Sequence, residues 1–79
     1  MKEVMTLVKS RMLRGGFNAY AKGNIIATVS KVTKNDNDSH YAGQYRICFT
    51  RGKLQGKIAY APDFQELNDR ICAVIDFAV

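Results

Sequence analysis

Cysteine and histidine are scarce in this 79-residue chain: Cys48, Cys72 and His40 are all it has. That set cannot by itself frame a structural zinc site. A Cys48–Cys72 disulfide has nothing to support it, and two buried free thiols are expected, because free cysteine behaves as a small buried hydrophobe. No apolar run approaches the roughly 20 residues that a membrane span needs. The opening stretch Met1–Thr6 has charge and polarity spaced through it, unlike a secretory leader. Proline occurs once, and 47% hydrophobic with 24% charged residues is ordinary globular composition, which argues against a disordered chain. The expectation is one domain over residues 1–79, soluble, intracellular and cytoplasmic. A chain this short buries only about 60% of its unfolded surface, so it must be well packed or paired.

The chemistry of catalysis is also lacking. There is no carboxylate pair in an apolar setting, no nucleophile with a base beside it and no metal cluster. A non-enzymatic protein without a cofactor is expected. Asn35-Asp36-Asn37-Asp38-Ser39 resembles part of a calcium loop in composition but lacks the EF-hand spacing and its bidentate Glu. Gly52-Lys53 and Gly56-Lys57 lack the phosphate-loop spacing and the trailing Ser or Thr, so a hairpin turn is the better reading.

What is present is positive charge, unevenly placed. Residues 1–61 hold eleven bases against three acids, and residues 62–79 hold Arg70 against Asp63, Glu66, Asp69 and Asp76. A basic body with an acidic last segment suits an anionic partner surface.

The pattern of the chain predicts helix, four strands, helix. Val4, Leu7, Val8 and Met12 fall on one stripe of a helix over residues 2–14, with Arg11 and Arg14 in its last turn and Gly15-Gly16 as its stop. Phe17–Ala21 and Ile25–Val32 flank Lys22-Gly23-Asn24 and read as a β-hairpin. Lys34–Gly43 is a polar loop ending in His40 and Tyr41. Strands Gln44–Thr50 and Lys57–Ala61 follow, joined by the basic turn Arg51-Gly52-Lys53. Pro62-Asp63-Phe64-Gln65-Glu66 has capping-box spacing, and Phe64, Leu67, Ile71, Val74, Ile75 and Ala78 continue at helical spacing.

Strand side chains alternate in direction, which sorts the faces. Phe17, Ile25, Val29, Tyr45, Ile47, Phe49, Ile58 and Tyr60 are expected on an apolar face covered by both helices, an α+β two-layer fold. The other face is left open, as antiparallel sheets permit. It would carry Tyr20, Lys22, Ile26, Arg46, Cys48 and Lys57, flanked by Arg51 and Lys53. The candidate partner-binding residues are therefore Tyr20, Lys22, Arg46, Arg51, Lys53 and Lys57. Such a platform suits an acidic protein surface, single-stranded nucleic acid or another copy of the chain.

The order of elements invites comparison with the double-stranded RNA-binding domain. That family has a basic start to its last helix where this chain has Asp63-Phe64-Gln65-Glu66, so the likeness ends at topology. The RNA-recognition motif alternates its strands and helices differently. The hairpin segment Phe17–Val29 resembles hairpins of small phage and mobile-element inhibitors of host defence, the anti-CRISPR proteins. These are commonly single domains of this size with a short antiparallel sheet and flanking helices. The resemblance implies a protein that binds a host nuclease complex and blocks its nucleic-acid path. Many members are acidic DNA mimics, and the basic charge here excludes mimicry by the whole surface. The alternative is a small basic nucleic-acid-binding domain.

Overall fold

The structure, a computed structural model, describes residues 5–11 and 16–79. Five antiparallel strands form one sheet in sequence order: β1 (Thr6–Lys9), β2 (Phe17–Ala21), β3 (Asn24–Lys31), β4 (Tyr45–Phe49) and β5 (Ile58–Ala61). Two helices follow, α1 (Phe64–Ala73) and α2 (Ile75–Ala78), with short 3₁₀ turns at Ser39–Tyr41 and Gly52–Leu54. The expected fold of four strands between an N-terminal and a C-terminal helix is overturned. Thr6–Lys9 is a strand, paired with β2 from Thr6↔Tyr20 to Lys9↔Phe17. Thr6-Leu7-Val8-Lys9 carries no two-residue alternation of its own, and it is the pairing with β2 that makes it a strand and turns Val8 to the face opposite Leu7. The remainder of the expected helix, residues 2–4 and 12–14, lies outside the described residues.

The β2–β3 connection is a tight turn in which Lys22 and Gly23 both have positive φ, 52° and 76°. That is the geometry of a two-residue hairpin whose twist matches the strands. Just beyond it the register shifts: Ala19 faces Ala27, but Tyr20 faces Ile25. Ile26 is the extra residue of a β-bulge, which reverses the side-chain order that strict alternation gives. Ile26 is therefore fully buried, and Ile25 shares a face with Tyr20 and is 40% exposed. The expected placing of these two isoleucines is corrected.

The parity of β5 is corrected as well. Ile47 faces Ala59 and Tyr45 faces Ala61, so the alanines lie on the covered side and Ile58 and Tyr60 on the open one. Ala61 is fully buried and Ile58 is 56% exposed. Bulk misled the assignment, for in β5 the alanines are the residues on the covered side. Ala19, Ala21, Ala27 and Ala61 form a low floor on which Leu67, Ile71, Ile75 and Ala78 rest together with Val29, Ile47 and Phe49.

Asp63 caps α1, its Oδ1 accepting the Glu66 N–H at 2.8 Å. The Glu66 carboxylate accepts from Arg70 Nε at 3.2 Å, an i,i+4 pair, so the capping box is made in one direction. The helix breaks at Val74 (φ −117°, ψ 13°) and resumes as α2. Phe64, expected in the core, is 48% exposed and meets Phe17 edge-on at 5.8 Å. The cysteines are free, but Cys72 is exposed and Cys48 half-buried, which corrects the expectation of two buried thiols. Among the described residues no helix is long and apolar enough to cross a membrane.

Gly52 fastens the β4–β5 connection against the end of the chain. Its φ is +72°, and a Cβ there would stand 2.5 Å from the Phe77 carbonyl oxygen and 2.8 Å from the Ala78 carbonyl carbon. Gly52→Ala should therefore lower stability by about 2 kcal/mol or more, combining left-handed strain with a backbone clash. Gly23→Ala, whose Cβ meets nothing within 4 Å, should lose about 1–2 kcal/mol from the backbone alone. Equal losses in urea denaturation would show that the Gly52 approach is not tight. A second pair separates core from margin: Ile47→Ala should cost about 3 kcal/mol, as core truncations do, and half-exposed Phe64→Ala clearly less.

Candidate functional site

The side of the sheet away from α1 and α2 carries the candidate site. Cross-strand partners share a face, so the register defines its rows. Val8, Asn18, Thr28, Cys48 and Ile58 form one row, Thr6, Tyr20 and Ile25 a second, and Ser30, Arg46 and Tyr60 a third. Val8 is 46% exposed, so with Ile25 and Ile58 it makes three large apolar side chains turned to water on one face.

The third row is tied to the loop that precedes β4. The loop folds on itself: the Thr33 N–H donates to Asp36 Oδ2 at 2.8 Å, and the Asp36 N–H returns to the Thr33 carbonyl at 3.2 Å. This directs Asp38 over the sheet. Arg46 Nη1 donates to both Asp38 oxygens, at 3.0 and 3.2 Å, and lies 3.8 Å from Asp36 Oδ2, while Nη2 donates to Ser30 Oγ at 3.1 Å. The Tyr60 hydroxyl donates to Asp38 Oδ2 at 2.7 Å. Above it, the Tyr41 ring stacks flat on the Tyr60 ring, centroids 3.8 Å apart and planes 6° apart, and His40 leans on Tyr41 at 4.2 Å. A cleft of about 500 Å³ opens beside this assembly, lined by Asp36, Asn37, Asp38, His40, Cys48 and Ile58 among others.

The network sets the charge states of its members. The Tyr60 hydroxyl, followed by the Arg46 guanidinium, outweighs desolvation and holds the Asp38 carboxyl below the ordinary carboxylate range. The hydrogen bond to Asp38 in turn raises Tyr60, and the same carboxylate raises Arg46. The aspartates that suggested a calcium loop are engaged with Arg46, and among the described residues no group of three His, Cys, Asp or Glu is placed to hold a metal.

The six expected contact residues part company here. Tyr20 lies on the open face beside Ile25. Lys22 in the β2–β3 turn and Arg51 and Lys53 in the β4–β5 connection are exposed at the same end of the sheet, where the Thr50 N–H reaches the Ile26 carbonyl at 3.0 Å. Arg46 is on the open face but toward the other end, held by Asp38. Lys57 shares the parity of Ala59 and Ala61 and lines a groove on the helix side, so it leaves the open face. The apolar trio and the Asp38–Arg46–Tyr60 network were missed. The signal for Ile58 and Tyr60 was the small size of Ala59 and Ala61, while Val8 and Ile25 owe their places to the pairing of β1 and the bulge at Ile26.

The network predicts a pH window for loop order. Asp38's contribution is present above the ordinary aspartate pKa of about 3.9 and is lost as pH falls through its lowered value. Tyr60's contribution is present below the ordinary tyrosine value of about 10 and is lost as pH rises through its raised value. Amide protection of residues 33–43, measured by NMR, should hold between these limits and fall beyond either. Asp38→Asn should remove the acid limb and Tyr60→Phe the alkaline one; limbs unchanged in both variants would place the titration elsewhere.

Comparison with protein-family models, with curated proteins and with solved structures returned no match to this chain.

Proposed function

We propose that the chain is a small non-enzymatic binding protein that docks a protein partner on its open sheet face. The observation that carries this reading is the exposure of Val8, Ile25 and Ile58 on one face, beside Tyr20. They stand on β1, β3 and β5 with Asn18, Thr28 and Cys48 between Val8 and Ile58, so a partner that buries these uncovered apolar side chains must span the width of the sheet. Lys22, Arg51 and Lys53 are exposed at one end of the sheet and suit acidic groups on the partner. The likeness of the Phe17–Val29 hairpin to small inhibitors of host defence narrows the proposed partner to a host nuclease complex, whose nucleic-acid path the bound protein would obstruct.

A nucleic-acid platform fits this face less well. Such platforms offer free aromatic rings and cations to bases and phosphates. Here Tyr60 is covered by Tyr41, Arg46 is engaged with Asp38, and Asp36 and Asp38 add negative charge to the same face.

The test is cleavage by a reconstituted CRISPR effector complex titrated with the protein, beside gel-shift assays with free DNA and RNA. The native chain should inhibit cleavage and leave free nucleic acid unshifted at low salt. Arg51→Glu with Lys53→Glu should keep the fold, since both residues are exposed, and should weaken inhibition by about tenfold or more, chiefly through the on-rate and with strong salt dependence. Ile25→Ala, which removes apolar area without adding charge, should weaken it independently of salt. A shift of free nucleic acid, with a salt slope reduced by about one for each lost phosphate contact, would replace this reading with the nucleic-acid one.

A further inference from the structure

We propose that β5 is a homodimer edge, pairing antiparallel with β5 of a second copy about a two-fold axis through Ala59. β5 ends the sheet, and among the described residues it is paired as a strand with β4 alone. Its sequence Ile58-Ala59-Tyr60-Ala61 contains no charge or proline, the usual protection of a free edge. α1 packs on the helix side of β5, and a groove of about 470 Å³ lined by Lys57, Ile58 and Ala59 with Leu54, Ala73 and Val74 remains beside it, while Ile58 stays 56% exposed.

The main-chain groups of β5 select one register. The Phe49 N–H donates to the Lys57 carbonyl at 3.0 Å, and Ile47 faces Ala59. Hydrogen-bonded pairs alternate along an antiparallel ladder, so Ala59 and Ala61 turn their amides and carbonyls toward β4, as Lys57 does its carbonyl, while the Lys57 N–H donates to the Leu54 carbonyl at 2.8 Å. Ile58 and Tyr60 turn theirs to the free edge. Opposed residues must share a face, so a two-fold axis between copies passes through a residue, Ile58, Ala59 or Tyr60. Through Ile58, Tyr60 would oppose Gly56, whose N–H already donates to the Phe49 carbonyl at 2.9 Å. Through Tyr60, Ile58 would oppose Pro62, which has no N–H to give. Through Ala59, Ile58 opposes Tyr60 of the second copy, and the two residues exchange N–H and C=O bonds on either side of the axis.

Side chains and charge agree with that register. Half-exposed Ile58 meets the Tyr60 ring of the second copy on the open face, an aromatic and β-branched cross-strand pair. Ala59 meets its own copy on the helix side with the least bulk. Lys57 lies opposite Ala61 of the second copy and diagonal to its Asp63, within the reach of a lysine on the same face. The symmetry makes this opposite-charge pair twice. Because the interface patch meets itself, the assembly closes at two copies rather than growing.

Sedimentation velocity on the full chain, from low micromolar to several hundred micromolar, tests the proposal. The expected result is a species of twice 8.9 kDa that dissociates on dilution. Ile58→Pro removes an outward N–H while leaving the ladder to β4 intact, and should be monomeric with an unchanged far-UV circular dichroism spectrum. Lys57→Glu, an exposed position facing Asp63 across the axis, should raise the dissociation constant by about tenfold at low salt, and serves should the proline variant fail to fold. A native chain that stays monomeric throughout, a folded Ile58→Pro that dimerises as before, or an unchanged constant for Lys57→Glu would each overturn the proposal. So would a monomer whose Ile58 and Tyr60 amides resist exchange, which would give the edge to another segment of the same chain.

Discussion

The molecule depends on the layer where Leu67, Ile71, Ile75 and Ala78 meet the alanine floor of the sheet. Burying each of the three large side chains contributes about 1.5–3 kcal/mol, and a small protein has few other sources of stability. The alanines matter by what they omit. With larger residues at 19, 27 and 61 the helix would be held further off, and the gap would cost packing along its length. The clasp at Gly52 belongs to the same constraint: the backbone of α2 sits close enough to the β4–β5 connection to exclude a Cβ. One end of the sheet is thereby fixed to the end of the chain, and the basic residues of that connection are presented on a held turn.

Using the helices on one side has a consequence on the other. The two helices span residues 64–78, enough to cover one face and no more. The opposite face must be stabilised by its own side chains, and it divides in two. Toward the β3–β4 loop, Asp38, Arg46, Tyr60 and Tyr41 make a polar and aromatic lid that satisfies itself. Toward the β2–β3 turn, Tyr20, Ile25 and Ile58 have no such lid. The division follows from loop length: the β2–β3 turn is too tight to fold back over the sheet, whereas the β3–β4 loop is long enough to bring Asp38 above Arg46.

How much of this was legible in the sequence depended on whether a local signal had a local cause. The β2–β3 hairpin, β4, β5 and the Asp63 cap were legible, because turn chemistry and capping act within a few residues. The first strand was not, because Thr6-Leu7-Val8-Lys9 has no two-residue alternation and only its partner Phe17–Tyr20 makes it a strand. The bulge at Ile26 was equally silent, since one extra residue leaves no mark in composition yet exchanges the faces of Ile25 and Ile26. Tyr60 failed for a third reason. Hydrophobic bulk was read as a mark of the core, but an aromatic ring with a hydroxyl is as well served over a carboxylate and under a second ring. That misreading hid the Asp38 network and, with it, the engagement of Arg46.

The corrected faces change what kind of surface the chain offers. A basic platform of Arg46, Lys57 and their neighbours would be a field-driven surface, attractive to any polyanion. With Arg46 paired and Lys57 on the helix side, Lys22, Arg51 and Lys53 remain exposed at one end, and Val8, Ile25 and Ile58 are spaced across the face with Asn18, Thr28 and Cys48 among them. Exposed charge steers encounter and sets orientation, while the apolar area buried determines how long a complex lasts. A surface so divided discriminates by shape, because desolvated Val8, Ile25 and Ile58 need a fitting counterpart and a phosphate backbone provides none. If β5 joins two copies, their open faces become one continuous sheet, with Ile58 of each at the shared edge and Val8 of each at the far edge. The ends that carry Lys22, Arg51 and Lys53 are then related by the two-fold axis and face opposite ways along the strands. A partner engaging both copies must then present acidic groups at two separated places, a geometric demand that a single copy does not make.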